Sequence, residues 1–242
     1  MSVLHLPAAA RFHADLGDVQ VDFLFSFAHY YDPANPGFGA LRVLNDQVVA
    51  PRTALPLHAH TEVEIVLIGL TGTLTYSDAA GNHRDLPAGS VLRLTAGTGL
   101  QHAEANRTAT EARALELWFV PGKASLLPTQ EQQAIWFATH PDTWVPLASG
   151  RGDGGSAALF LNCDATVWAT ALTAGRSLSY APDDATGARQ LLLYVLSGAV
   201  TVNGQPLAAA EQLRLSPAAA LTVTAPEKAQ LLLIDLAADD GL

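Results

Sequence analysis

Hydrophobic positions in this chain fall in short runs, cut by glycine, proline, asparagine and aspartate. Residues 63–70, 73–76, 91–95, 115–120, 191–196 and 199–202 are rich in Val, Leu, Ile and Thr. Runs of this kind bounded by turn residues predict strands, and many of them in succession predict an all-β sandwich or barrel. Ala80-Gly81-Asn82 and Asn203-Gly204 supply hairpin turn chemistry. Gln230-Leu231-Leu232-Leu233-Ile234 reads as a buried strand. Only residues 129–139, with Gln and Ala around Ile135 and Phe137, have a helical pattern.

The two halves of the chain echo each other. Thr71-Gly72-Thr73-Leu74-Thr75-Tyr76 parallels Ser197-Gly198-Ala199-Val200-Thr201-Val202. Leu86-Pro87-Ala88-Gly89-Ser90-Val91-Leu92-Arg93-Leu94-Thr95 parallels Leu207-Ala208-Ala209-Ala210-Glu211-Gln212-Leu213-Arg214-Leu215-Ser216. Such self-similarity predicts two copies of one β-domain, residues 1–135 and 136–242. The join runs from Pro121 to about Ser156 and holds the helical segment and a glycine-rich stretch at 149–155, expected to be flexible.

Composition narrows the partners. The chain has 242 residues, 49% hydrophobic and 15% charged, enough for a packed core. A net charge of −10 without a Lys/Arg run argues against nucleic acid and anionic lipid. It permits a protein partner without requiring one. No apolar stretch reaches the length of a membrane span. Cys163 is the only cysteine, so an intrachain disulfide is excluded, and it reads as a small buried hydrophobe. The N-terminal residues lack the pattern of a secretory signal, and a cytoplasmic location is expected.

The chemistry concentrates in two trios, His58-Ala59-His60 and His102-Ala103-Glu104. Side chains two apart on a strand face the same way. Two such strands brought together would aim three imidazoles and one carboxylate at one point, a set suited to a divalent first-row metal. Glycine-rich Ala96-Gly97-Thr98-Gly99 precedes His102, and Asn106 follows it by four. No histidine occurs after His140, so an imidazole-rich site belongs to the first copy. His5, His13, His29, His83 and His140 lack a motif and read as surface or hydrogen-bonded residues. Tyr30 and Tyr31 read as packing residues of the N-terminal segment, and Trp118, Trp136, Trp144 and Trp168 as core or interdomain anchors. No nucleophile-elbow pattern supports a hydrolase triad.

The order HxH-x3-E, a later glycine, then G-x2-H-x3-N resembles the two cupin motifs. With Tyr30-Tyr31-Asp32-Pro33, Leu41-Arg42-Val43-Leu44-Asn45-Asp46 and the run Ala96 to Glu104, the chain resembles the pirin family, in particular its bacterial quercetin 2,3-dioxygenase-like members. The resemblance implies a bicupin: two double-stranded β-helix (jelly-roll) barrels, joined here by a short helical linker. It implies one metal in the first barrel, held by His58, His60, His102 and Glu104, and none in the second. Glu64 offers a competing carboxylate, because it follows HxH as in other cupins and strand parity would point Glu62 and Glu64 toward the imidazoles. The pirin pattern favours Glu104 as ligand, which leaves Glu64 behind the imidazoles, fixing a tautomer. The chain departs from the family at Ala59, where proline is common, and at Thr61, where a basic residue is common.

The resemblance implies cleavage of a flavonol such as quercetin by O2, with carbon monoxide released. Glu104 would act as general base, while ligating or after swinging partly off the ion. Iron(II) is the first choice of metal, with nickel, manganese and zinc as alternatives. The competing reading is a regulatory or binding protein whose metal site acts on a protein partner.

Overall fold

The computed structural model describes residues 2–134, 137–152, 158–183 and 188–238. The described residues form an all-β structure whose only helical elements are 3-10 turns at Ala8–Ala10 and Phe137–Thr139. The expected helix at 129–139 is not formed. Thr129–Ala134 is a strand, paired antiparallel with Ser90–Thr95 from Ser90↔Ala134 to Thr95↔Thr129. Its polar side chains bond neighbouring strands: Gln132 Nε2 donates to the Asp85 carbonyl at 2.7 Å and Gln130 Oε1 accepts from Arg84 Nε at 2.9 Å. Sheet pairing therefore overrides the local helical composition. Ile135 and Trp136 lie outside the described residues, as do residues 153–157 of the join.

The chain divides into two compact units. One comprises Arg11–Trp136 with Leu159–Cys163; the other comprises Met1–Ala10, Phe137–Ala158 and Asp164–Leu242. Two short segments thus depart from a single cut of the chain. Ser2–Leu6 pairs with Gln212–Ser216. Leu159–Cys163 is held to the Arg11–Trp136 body by Asn162, whose backbone N and Nδ2 both donate to the Glu64 carboxylate, Nδ2 at 2.7 Å.

In the first unit, one sheet has the order Thr129–Ala134, Ser90–Thr95, Glu64–Thr71, Ala112–Phe119, Leu41–Val49, Val19–Phe23, Phe12–Asp15. Glu64–Thr71 is buried throughout except at Thr71, as a continuous apolar run at the centre of a sheet requires. The second sheet carries Thr53–Ala54 and His58–His60 on one side of Leu100–Asn106, then Thr73–Asp78 and His83–Pro87. Ile65, Leu67, Leu74, Tyr76, Leu92 and Leu94 pack into one buried cluster.

The other unit repeats the plan: Ser2–Leu6, Gln212–Ser216, Arg189–Ser197, Ala229–Ala237, Ala165–Leu172 and Val145–Ser149 follow one another in its large sheet. Gly72 and Gly198, paired in the sequence repeat, both adopt positive φ, 67° and 78°. A Cβ at either would collide with a carbonyl oxygen, of Glu111 or of Lys228. The strand pair Ser177–Tyr180 and Leu221–Thr224 takes the place that His58–His60 and Leu100–Asn106 hold in the first unit. Leu221 and Val223 are buried there, and Leu178 and Tyr180 pack against the same cluster. Apolar side chains fill the position where the first unit carries imidazoles.

Candidate metal centre

Strand alternation builds the centre. Along Leu100–Asn106, His102, Glu104 and Asn106 are buried, while Gln101 is exposed and Ala103 and Ala105 are half-buried. His58 is the ladder partner of His102, and His60 that of Leu100. Ring centroids lie 4.5 Å apart for His58–His102 and 4.8 Å apart for both His58–His60 and His60–His102. One nitrogen from each imidazole falls within 4.8 Å of the others, so the triad can hold a metal ion.

Hydrogen bonding leaves the inward atoms open. His58 Nδ1 donates to the Pro56 carbonyl at 3.0 Å, which leaves Nε2 with a free lone pair. His60 Nε2, both ring nitrogens of His102 and Glu104 Oε1 are buried and have no hydrogen-bond partner among the described residues. Glu104 Oε1 nevertheless sits 2.8 Å from His102 Nδ1. Two ligand atoms at about 2.0–2.2 Å from one ion, roughly 90° apart, would be separated by about 2.9 Å. The donor set therefore fits a first-row cation. Burial, with His102 and His58 nearby, lowers the His60 pKa to about 4, so the imidazole is neutral and able to ligate at neutral pH.

Glu64 does not take the place expected of it. It is fully buried, but it accepts from Thr95 Oγ1 at 2.6 Å as well as from Asn162, and none of these bonds reaches an imidazole. The parity argument fails because His58–His60 and Glu64–Thr71 belong to different sheets. Between them Glu62 has φ 53°, which breaks the alternation. Glu62 itself turns away and accepts from the Ser125 N–H at 3.1 Å. Asn106 is also structural: its Nδ2 donates to the carbonyls of Val49 and Thr110, and its Oδ1 accepts from Thr108.

A cavity of about 550 Å³ opens onto His58, His60 and Glu104. Val21, Phe23, Phe27 and Leu55 give it apolar walls. Trp118 packs against the buried cluster of this unit, in keeping with the reading as a core anchor, and also lines this cavity. Its ring stands edge-on to His60 at 4.7 Å, and its Nε1 donates to Glu116 Oε1 at 2.8 Å. Glu116 and Asn45 also line the cavity, and sequence reasoning passed over both as functional residues. The one signal for Glu116 was a lone carboxylate inside the apolar run 115–120. Burial, reinforced by the Glu104 carboxylate, raises its pKa to about 7. His29 lines the cavity as well, packing edge-on to Phe12. Tyr30 stacks on Phe12 as expected of a packing residue, whereas Tyr31 is 77% exposed. A second cleft, of about 660 Å³, reaches His60 past Tyr76, Asp78 and Gln130.

Residues 8–119 match the pirin family, and residues 146–236 match the quercetinase C-terminal cupin domain. The chain is 36% identical to a pirin-like protein of Caulobacter vibrioides, over 93% of this chain and 95% of the relative. The chain belongs to the pirin family. It is also 31% identical to a quercetin 2,3-dioxygenase of Escherichia coli K12, over 95% of this chain and 96% of that relative. Bacterial pirin YhhW from Escherichia coli, solved in complex with nickel(II), superposes with a TM-score of 0.90 at 28% identity, covering 98% of this chain and 100% of that one. The all-β architecture is thus the two-domain cupin fold of the pirins. Among the described residues, no helix is long and apolar enough to cross a membrane.

Proposed function

We propose that this pirin is a metal-dependent dioxygenase that opens the central ring of a flavonol such as quercetin with O2. The observation that carries this reading is the cluster of His58, His60 and His102, with Glu104 Oε1 2.8 Å from His102 Nδ1, beside a cavity of about 550 Å³ walled in part by Phe23, Phe27 and Trp118. The four residues are proposed as the ligands of one divalent ion, with iron(II) first and nickel, manganese and zinc as alternatives. When bound, the ion supplies Lewis acidity that makes a coordinated hydroxyl more acidic.

The chain's own groups do the rest. Glu104 receives the proton of the substrate's 3-hydroxyl, because it is the carboxylate nearest the imidazoles. His58 is held in one tautomer by the Pro56 carbonyl. Phe23, Phe27 and Trp118 orient the ring system and exclude water from the reacting carbons. Relatives named quercetin 2,3-dioxygenase support the assignment.

The test is incubation of metal-loaded protein with quercetin, with and without O2. The expected result is O2-dependent loss of the flavonol absorption with carbon monoxide released. No such loss with iron, nickel, cobalt or manganese would remove the oxygenase and leave the reading of a binding protein.

A further inference from the structure

Asn45 is 2% exposed, and its Oδ1 has no hydrogen-bond partner among the described residues. Its only described side-chain bond is a long one, Nδ2 to Glu116 Oε2 at 3.5 Å. Asn45 and Glu116 are direct ladder partners on adjacent strands, so their side chains stand on the same face of the sheet. That face lines the cavity beside the imidazoles.

The pair is unbalanced in its hydrogen bonding. Glu116 Oε1 is taken by Trp118 Nε1, while among the described residues Oε2 meets only the distant Asn45 amide. A carboxyl oxygen and an amide oxygen thus keep unused acceptor capacity on a cavity wall that also carries Phe23, Phe27 and Trp118. A buried acceptor left unmatched is destabilising, so this end of the cavity calls for a ligand that brings donors. Aromatic ethers and hydrocarbons bring none.

We propose that Asn45 and Glu116 form a hydroxyl-reading pair, an acceptor subsite that selects aromatic ligands bearing a free phenolic O–H over the same ligands with that oxygen alkylated. The inference deepens the flavonol reading and rests on it for the identity of the cavity as the substrate site. It adds which substituent the protein itself recognises, apart from the oxygen that meets the ion.

The test compares resorcinol with 1,3-dimethoxybenzene, measured as dissociation constants by ligand-observed NMR on the protein as purified, under argon. The 1,3-diol cannot chelate an ion through both oxygens. The ether is the more hydrophobic of the two, so simple burial would favour it. The expected result is at least about tenfold tighter binding of the diol, the loss expected when one buried hydrogen bond goes unmade. Asn45→Leu should bring the ratio to one or below. Glu116→Gln provides a second variant that keeps the Trp118 bond. Its new amide N–H can donate to Asn45 Oδ1, satisfying that oxygen from within, and the preference should again collapse. Thermal unfolding of both variants checks that they are folded.

Equal binding of diol and ether by the unmodified protein, or a preference that survives both substitutions, overturns the subsite. The two ideas fail separately. Quercetin consumption with no diol preference removes the pair alone, whereas a diol preference without O2-dependent quercetin loss supports the pair and removes the flavonol chemistry.

Discussion

His102 Nδ1 and Glu104 Oε1 stand 2.8 Å apart, and neither atom has a hydrogen-bond partner among the described residues. They come from residues two apart on one strand, both buried. An approach this close between a ring nitrogen and a carboxylate oxygen is favourable when a cation, or a proton on the nitrogen, lies between them. His60 Nε2 is buried and unpartnered in the same way.

His60→Ala should therefore leave the fold intact and remove most bound metal. Elemental analysis of protein purified without added metal, with circular dichroism for folding, measures both. Equal metal content in the parent and the variant would contradict the proposed ligand set. Glu104→Gln, which keeps the shape and removes the charge, should lower occupancy as well.

Glu64 separates structure from ligation. Glu64→Ala strands Thr95 Oγ1 and both donors of Asn162. Loss of these charge-assisted bonds should destabilise the protein by about 2–4 kcal/mol. Metal content per folded molecule should stay unchanged. Denaturant titration alongside metal analysis checks the pair of outcomes; metal loss to the level of His60→Ala would restore Glu64 to the centre.

The repeat glycines give a conformational test. Gly72→Ala and Gly198→Ala each force a Cβ against a backbone carbonyl at positive φ. Each should lower stability by about 2 kcal/mol or more. Thermal unfolding reads the change, and a neutral result at either position would mean that the turn relaxes freely.

Glu116 carries a pH signature in metal-free protein. Its pKa is raised from 4.5 to about 7 in the folded chain, so the folded state binds this proton more tightly than the unfolded state. The resulting stabilisation is complete below pH 4.5 and is lost as pH rises through about 7. Glu116→Gln lacks this dependence. Its stability relative to the parent should rise across that window, by up to about 3 kcal/mol. His60, shifted in the opposite sense, is common to both proteins and cancels in the difference. A flat difference between pH 4.5 and 7 would place Glu116 in a more solvated setting.

The elements that the sequence made legible are those dominated by local physics. Apolar runs ended by glycine turns became strands because burial and turn chemistry act over a few residues. The trios His58–His60 and His102–Glu104 could be read because alternation on one strand fixes facing. Glu64 was misjudged because parity does not survive a left-handed residue, and Glu62 supplies one. Residues 129–134 were misjudged because their polar side chains find partners on strands distant in sequence, Arg84 and Asp85 of the other sheet among them. Asn45 and Glu116 meet across 71 residues of sequence, a distance that no local pattern encodes.

The Glu64–Asn162 clasp bears on how the two halves of this chain could ever be parted. A fragment ending near residue 135 would keep the buried Glu64 carboxylate and its bond from Thr95 Oγ1 but lose both donors of Asn162. The half that carries the imidazoles would have to travel with residues 159–163 to keep these bonds, so no single scission parts the two repeats cleanly.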